Sequence, residues 1–404
     1  MALETTNYQC PSCNGSLRYS GASGLLECDF CGSKFTIEEV ERLFAEKQAK
    51  ADDKAAKEEA REEKRRAVEA AEAAATGAAA EQPAAQATAA QAPQDADPIQ
   101  NYLNRSKWSA EEAENLRSYT CSSCGAQLLT DQTTAVTSCP YCGNPTVLPG
   151  QMTDAMKPEY VIPFKYDKKA AVDALKAYYK GKKFLPNTFA NANHLEEIQG
   201  VYVPFWLFTA DTQGNGTFKA TRSQAWADSK NTYVKTDYYQ ARRLGKMHFD
   251  KVPVDASSKM PDAHMDAIEP FDYGEMKPFS FGYLPGYLTD RYDQDADDCR
   301  SRAESRMRQS TEDMLQSSVT GYETVSTESC NVQTSWNDAA YALLPVWMLH
   351  TKWSGQDFLF AMNGQTGKLI GDLPVDNGKV VKQFLLVFAP LLAVVLIVVF
   401  GLLG

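Results

Sequence analysis

Histidine is scarce in this sequence, and the few copies lie far apart. The four residues form no H-E-x-x-H motif, the arrangement of many zinc proteases; they are His194, His248, His264 and His350. His350 lies within an apolar segment and is interpreted as a core or edge residue of a strand. The segment GQTGK, which ends at Lys368, lacks the length and the Ser or Thr of a phosphate-binding loop. We therefore expect no enzyme; an enzyme with an unrecognised site in the aromatic region is the alternative.

A calcium-binding loop is also incomplete in this chain. Asp293, Asp295, Asp297 and Glu304 match four acidic positions of an EF-hand, but Asp298 stands where that loop requires glycine. A helix N-terminus favours carboxylates, so we interpret this stretch as the acidic start of a helix.

Positive charge is lacking where nucleic-acid binding would need it. The formal net charge is -11, and the segment from residue 119 to residue 150 contains neither Lys nor Arg. Residues 1–36 have only Arg18 and Lys34 as cations. Because phosphate contacts depend on Lys and Arg, these segments favour protein contacts or simple stabilisation over DNA or RNA binding.

The N-terminus, MALETTNYQC, contains no apolar signal core. Eight of the ten cysteines occur in four C-x-x-C motifs. Disulfides would suit a secreted protein, whereas four C-x-x-C pairs without a signal indicate a reducing compartment and bound metal. Cys299 and Cys330 stand alone and are interpreted as structural thiols.

The paired cysteines form two cassettes that repeat each other. Four thiolates on two knuckles match the tetrahedral coordination of structural zinc, and they leave no open position for catalysis. The predicted ligands are Cys10, Cys13, Cys28 and Cys31 in the first cassette, and Cys121, Cys124, Cys139 and Cys142 in the second. Two structural Zn²⁺ ions are expected; a rubredoxin-like iron site is the alternative. Gly32 and Gly143 follow the last ligands, where the backbone must curl so that amide N–H groups face the sulfurs.

The charged segment that follows the first cassette, residues 38–75, contains only one large apolar residue beyond Phe44, Val68. Residues 38–75 contain no Pro or Gly and many charge pairs four apart, which predicts a solvated or weakly pairing helix. Residues 76–98 are rich in Ala, Gln and Pro and predict a disordered tether. Ser109 and Glu112 form a capping-box pattern for a short helix before the second cassette.

The remaining soluble part reads as an α+β domain with an antiparallel sheet, produced by duplication. Asp167 is expected to cap a helix over residues 168–180, and residues 295–318 predict another. VYVPFWLFTADT and ALLPVWMLHTKW predict related strands, each followed by a turn and a further strand, GTFKAT and FLFAMN. NGQTGKLIG predicts a hairpin connection.

The last 21 residues, 384–404, contain no charge and are long enough to span a bilayer. Lys379 and Lys382 precede them, which favours a cytoplasmic N-terminal region by the positive-inside tendency. We expect a single-pass tail anchor in a cell membrane; a buried core helix is the alternative. The predicted organisation is multidomain: 1–37 zinc ribbon, 38–100 linker, 101–150 helix and second ribbon, 151–378 α+β domain, and 379–404 transmembrane helix.

The CPSC ribbon, the charged linker, the second ribbon, the block LPVWMLHTKW with FAMNGQTGKLIGDLP and the final apolar helix together resemble a bacterial family. These are the membrane-anchored double zinc-ribbon proteins of the YdjG type, often labelled TFIIB-type zinc-ribbon or primosomal-helicase-like proteins. The resemblance implies neighbours such as PspA-type, SPFH (flotillin-like) and TPM-domain proteins, and a role in envelope stress. No Walker motif supports the helicase label.

Two function hypotheses follow. The first is a membrane adaptor whose tethered ribbons bind protein partners, with Leu128, Leu129 and Tyr141 as exposed contact residues. The second is a membrane-tethered nucleic-acid-binding zinc-ribbon protein in replication or transcription.

Overall fold

The computed structural model describes residues 10–13, 15, 17–43, 45–46, 116–121, 124–131, 139–142, 147–150, 156–192 and 195–403. The predicted helix beyond residue 46, the tether over 76–98, the capping box at Ser109 and the curl at Gly143 lie outside these residues.

The first cassette forms a small antiparallel sheet followed by a helix. Its strands pair in chain order and are β1 (Leu17–Ser20), β2 (Leu25–Cys28) and β3 (Lys34–Phe35). Helix α1 covers residues 37–43 and 45–46. Thr36 and Glu39 form a reciprocal capping box, since each backbone N–H donates to the other side chain, at 2.9 and 3.1 Å. The side chains of Ile37 and Val40 are buried, and they pack in the same core as Leu17 and Leu26.

Eleven strands of the described residues form one mixed, mostly antiparallel sheet. They are β4 (Leu116–Cys121), β5 (Gln127–Asp131), β6 (Val147–Gly150), β7 (Tyr160–Val161), β8 (Gln199–Ala227), β9 (Thr232–Asp255), β10 (Lys277–Pro278), β11 (Leu288–Asp290), β12 (Thr324–Trp353), β13 (Gln356–Asn363) and β14 (Leu369–Gly371). The order is β10-β7-β12-β8-β11-β5-β4-β6, with β9 beside β8 and the β13–β14 hairpin beside β12. Strands of the second cassette are thus continuous with the central sheet.

Six α-helices accompany the strands in the described residues, α1 included. The others are α2 (Lys168–Tyr179), α3 (Asn187–Ala192), α4 (Asp262–Ile268), α5 (Ala296–Ser317) and α6 (Asn377–Leu403). The prediction for α2 is confirmed, because the Asp167 carboxylate accepts the Ala170 N–H at 2.7 Å. The acidic start of α5 is also confirmed: Asp295 and Asp298 form a capping box.

Strands β8, β9 and β12 extend into a long three-stranded arm, defined here as residues 210–249 and 324–336. The segment GTFKAT continues β8 without a turn, so the prediction of a separate strand there is wrong. The strand continues because β8 pairs with β9 through residue 227 and with β12 through residue 221. Helix α5 covers one face of the arm, where Leu315 packs against Phe218 and Ala220.

Alternate residues of β8 point into two separate cores on opposite faces of the sheet. Tyr202 and Trp206 belong to the core that contains α2 and the base of α5. Val203 and Phe205 belong to the core that contains α4. Fully burying a large apolar side chain is worth about 1.5–3 kcal/mol, so these two cores hold the domain together.

Helix α6 is the one candidate membrane span among the described residues. Its segment Asn377–Leu396 has a mean hydropathy of 2.0, and this apolar stretch is not buried in the protein. Pro390 lies inside the helix, as transmembrane helices permit. At its start, Lys379 Nζ donates to Leu185 O and Asn187 Oδ1, at 2.6 and 2.7 Å. The helix is therefore long and apolar enough to cross a membrane.

Candidate metal centres

The first cassette gathers its four sulfurs at one end of the small sheet. Cys10 Sγ lies 3.5 Å from Cys31 Sγ, and Cys13 Sγ lies 3.5 Å from Cys28 Sγ. All four sulfurs lie within 4.8 Å of one another. Gly32 has a φ of +72° and donates its N–H to Cys28 O at 2.9 Å, so the expected curl after the last ligand is present.

The second cassette repeats this geometry. Cys121 Sγ lies 3.6 Å from Cys142 Sγ, and Cys124 Sγ lies 3.7 Å from Cys139 Sγ, again with all four sulfurs within 4.8 Å. Gly125 has a φ of +72° and donates its N–H to Cys121 O at 2.9 Å. Gly125 closes the first knuckle, a role that the sequence analysis did not assign.

The donor set fits one tetrahedral ion in each cassette. A zinc–sulfur bond of about 2.3 Å places tetrahedral ligands about 3.8 Å apart, close to the sulfur separations in both cassettes. Both sets consist of thiols alone, which suits zinc and also suits iron. Among the described residues, these two are the groups of metal-ligating side chains close enough to hold an ion.

Hydrogen bonds to the sulfurs differ between the two centres. The hydroxyl and backbone of Ser33 lower the pKa of the exposed Cys31 thiol to about 6. Burial raises the pKa of the Cys139 thiol, and hydrogen bonds from the backbone of Cys142 and Tyr141 oppose that increase. A bound cation supplies the positive charge that a buried thiolate needs.

The two centres also differ in exposure. In the first, Cys13 and Cys31 are exposed; in the second, Cys124 and Cys142 are half-buried. The residue before the last ligand shows the difference most clearly. Phe30 is 77% exposed, whereas Tyr141 in the equivalent position is 7% exposed.

The first cassette packs on one face of the central sheet. Leu17 and Leu26 belong to the same core as α2 and Trp206. The Tyr19 N–H donates to Pro285 O at 3.1 Å, and the Tyr19 and Tyr283 rings meet edge to face, with centroids 5.4 Å apart. The first ribbon is thus attached to the sheet.

The second cassette packs on the opposite face, and its strands β4, β5 and β6 are part of the central sheet. Strand β5 pairs with β11, which brings Leu128 opposite Asp290 and Leu129 opposite Thr289. Leu128 is 0% exposed and Leu129 is 6% exposed. The prediction that Leu128, Leu129 and Tyr141 form an exposed contact surface is therefore wrong, because β11 and the core around α4 cover them.

Behind the second centre lies a buried polar cluster that the sequence analysis missed. It consists of Tyr141, Ser257 and Asp290, which are 7%, 1% and 1% exposed. Burial raises the pKa of the Asp290 carboxyl to about 7, while interactions with the Ser257 and Tyr141 hydroxyls act to lower it. The three residues are remote from one another in sequence, so no local pattern indicates their proximity.

The histidines do not converge within the described residues. His248 Nδ1 lies 2.8 Å from Asp211 Oδ1, and His350 Nε2 lies 3.3 Å from Asp357 Oδ1. His264 is buried, 3.4 Å from Asp372. His194 is outside the described residues. His350 is half-buried in β12, as the strand interpretation predicted.

Comparison with known proteins identifies a relative. No family model matches the chain, and no solved structure matches it. The chain is 32% identical over 238 residues to the uncharacterized protein YdjG of Bacillus subtilis (strain 168). The match covers 59% of this chain and 70% of YdjG. The chain therefore belongs to the family of YdjG.

Proposed function

We propose that this protein is a non-enzymatic adaptor, anchored in a bacterial membrane by α6, that holds two structural zinc ions and binds protein partners. The observation that carries the adaptor assignment is the aromatic tip of the arm, defined as residues 222–239. The tip is the proposed contact surface because Leu128, Leu129 and Tyr141 are buried.

The tip presents aromatic rings in a fixed arrangement. Trp226 and Tyr233 pair across the hairpin and stack, with ring centroids 5.7 Å apart and planes 16° apart. Trp226 is 52% exposed, and Tyr238 is 80% exposed. Asp228 fixes the turn: it accepts the Lys230 and Asn231 N–H groups and the Tyr233 hydroxyl, at 2.7–3.0 Å.

This composition and rigidity favour a protein partner. Tyr, Trp and Arg are the residue types enriched in protein interfaces and among their hot spots. Arg222 lies at the base of the tip, where its guanidinium is 5.8 Å from the Tyr322 ring and donates to Gly321 O at 2.6 Å. A ring pair that is already ordered loses little entropy on binding, which favours affinity.

The cellular setting rests on α6 and on the family resemblance. Lys379 and Lys382 precede the apolar part of α6, which supports a cytoplasmic location for the soluble part. Reduced thiols at both centres agree with that side. The resemblance further supports partners of the PspA, SPFH or TPM-domain type and a role in envelope-stress maintenance.

The experiment places a photo-crosslinking amino acid at Tyr238 in the full-length protein in intact cells. Met314 on α5, 61% exposed, is the matched control position. We expect a discrete protein adduct at position 238 that is absent at position 314 and lost after Trp226→Ala with Tyr233→Ala. Adducts to nucleic acid or lipid, or the same adducts at both positions, would contradict the proposal. A nucleic-acid adduct would favour the membrane-tethered nucleic-acid alternative.

A further inference from the structure

The equivalent positions of the two cassettes reveal a difference in how their metal centres are supported. Phe30 points into solvent, whereas Tyr141 lies between two ligands of the second centre and is buried against the sheet. The second knuckle therefore has an anchor that the first knuckle lacks.

Tyr141 contacts both the metal site and the sheet. Its backbone, together with that of Cys142, hydrogen-bonds to the Cys139 sulfur. Its hydroxyl interacts with the Asp290 carboxyl and the Ser257 hydroxyl. The orientation of one side chain thus fixes an N–H group that faces a metal ligand, the kind of outer-sphere contact that tunes metal affinity.

The polar atoms of this cluster depend on one another. The Tyr141 hydroxyl, the Ser257 hydroxyl and Asp290 Oδ2 are buried and form no well-aligned hydrogen bond with any other described residue. A buried polar group without a partner costs about 1–3 kcal/mol. The three groups have only one another to offset this cost, so replacing one removes a neighbour that holds the Tyr141 hydroxyl in place.

We propose that Asp290 and Ser257 are positioning residues for the second metal centre, acting through Tyr141. The proposal rests on the zinc binding in the proposed function. It predicts different rates of zinc exchange at the two centres. Contacts with the sheet domain slow zinc release from the second centre. Zinc in the first centre is held by its four thiolates alone and exchanges faster.

The test mixes the full-length protein, solubilised in detergent, with an excess of a chromophoric chelator. The rate at which the chelator takes up zinc is measured. Cys13→Ser removes an exposed ligand of the first centre and identifies its kinetic phase. We expect Tyr141→Phe, Asp290→Ala and Ser257→Ala each to accelerate release from the second centre about tenfold, the lower end for lost outer-sphere contacts. Asp290→Asn keeps a carbonyl acceptor and should retain the slow rate. Phe30→Leu, the matched control, should change neither phase.

A merely structural role predicts a different outcome. Under the proposal, Tyr141→Phe leaves the first phase unchanged and accelerates the second while circular dichroism still shows the sheet domain folded. Faster release from both centres together with a lowered midpoint would overturn the proposal, as would unchanged release in Tyr141→Phe and Asp290→Ala. Wild-type protein with no zinc in the second centre would overturn the metal assignment as well, so the two failures are distinguishable.

Discussion

Phe30 and Tyr141 occupy the same place in the two cassettes, and the fold gives them opposite environments. Phe30 is 77% exposed at the tip of the first ribbon, while Tyr141 is 7% exposed beneath the second. Both ribbons nevertheless pack on the central sheet, one on each face. Each ribbon therefore contributes residues to one of the two cores. The proposed partner surface is the tip of the arm.

The metal centres predict a stoichiometry of two zinc ions per chain. Replacing Cys121 and Cys124 by Ser should remove one ion and unfold the second ribbon, because metal binding supplies much of the folding energy of such small units. Since β5 pairs with β11, the sheet should lose stability too. Elemental analysis under reducing conditions and limited proteolysis measure both effects. Less than one zinc per wild-type chain, or unchanged cleavage in the variant, would contradict this prediction.

Removal of Phe384 to Gly404 should produce a soluble protein that keeps its fold. The two cores lie within residues that precede α6, whereas the exposed apolar side chains of α6 have no covering in the protein. Fractionation after a high-salt wash, with circular dichroism of the soluble product, measures the outcome. Continued attachment of the truncated chain to membranes would show that another segment or a partner provides the anchor.

Leu315→Ala should destabilise the arm by about 2–5 kcal/mol, the usual cost of truncating a buried leucine. Leu315 is 4% exposed and packs against Phe218 and Ala220. The adjacent residue Met314 is 61% exposed, so Met314→Ala is the matched control and should change stability by less than about 0.5 kcal/mol. Urea unfolding of residues 1–383 measures the free energy of unfolding. Equal effects of both substitutions would argue against the packing of α5 on the arm.

The ribbons should bind neither DNA nor RNA. The second ribbon offers no cationic side chain, and in the first, Arg18 and Lys34 are paired with Asp29 and Glu27, at 3.4 and 2.8 Å. The test is a titration of residues 1–383, which keep the ribbons on the sheet, with labelled single- and double-stranded DNA and RNA at about 50 mM salt. Micromolar binding that weakens steeply with added salt would contradict the prediction. Arg18→Ala with Lys34→Ala would then show whether the first ribbon is responsible.

Local patterns in the sequence determined several elements directly. The C-x-x-C spacing identifies all eight sulfurs that the structure gathers into two groups. The predicted helix over residues 168–180 is α2, and its buried residues, Ala171, Val172, Leu175 and Tyr179, recur with helical spacing, which is a property of neighbouring residues. The same holds for α5, which begins at its acidic capping box, and for the charge-free run within α6.

Only the tertiary structure decided which surfaces are buried. Leu128, Leu129 and Tyr141 look like exposed ribbon residues in sequence, but β11, more than a hundred positions away, covers them. The uninterrupted length of β8 depends on pairing with β9 and β12, which no turn signal within GTFKAT indicates. The cluster of Tyr141, Ser257 and Asp290 likewise unites three distant segments. Burial is the sum of contacts across the whole fold, so two cassettes with the same ligand spacing can have opposite environments.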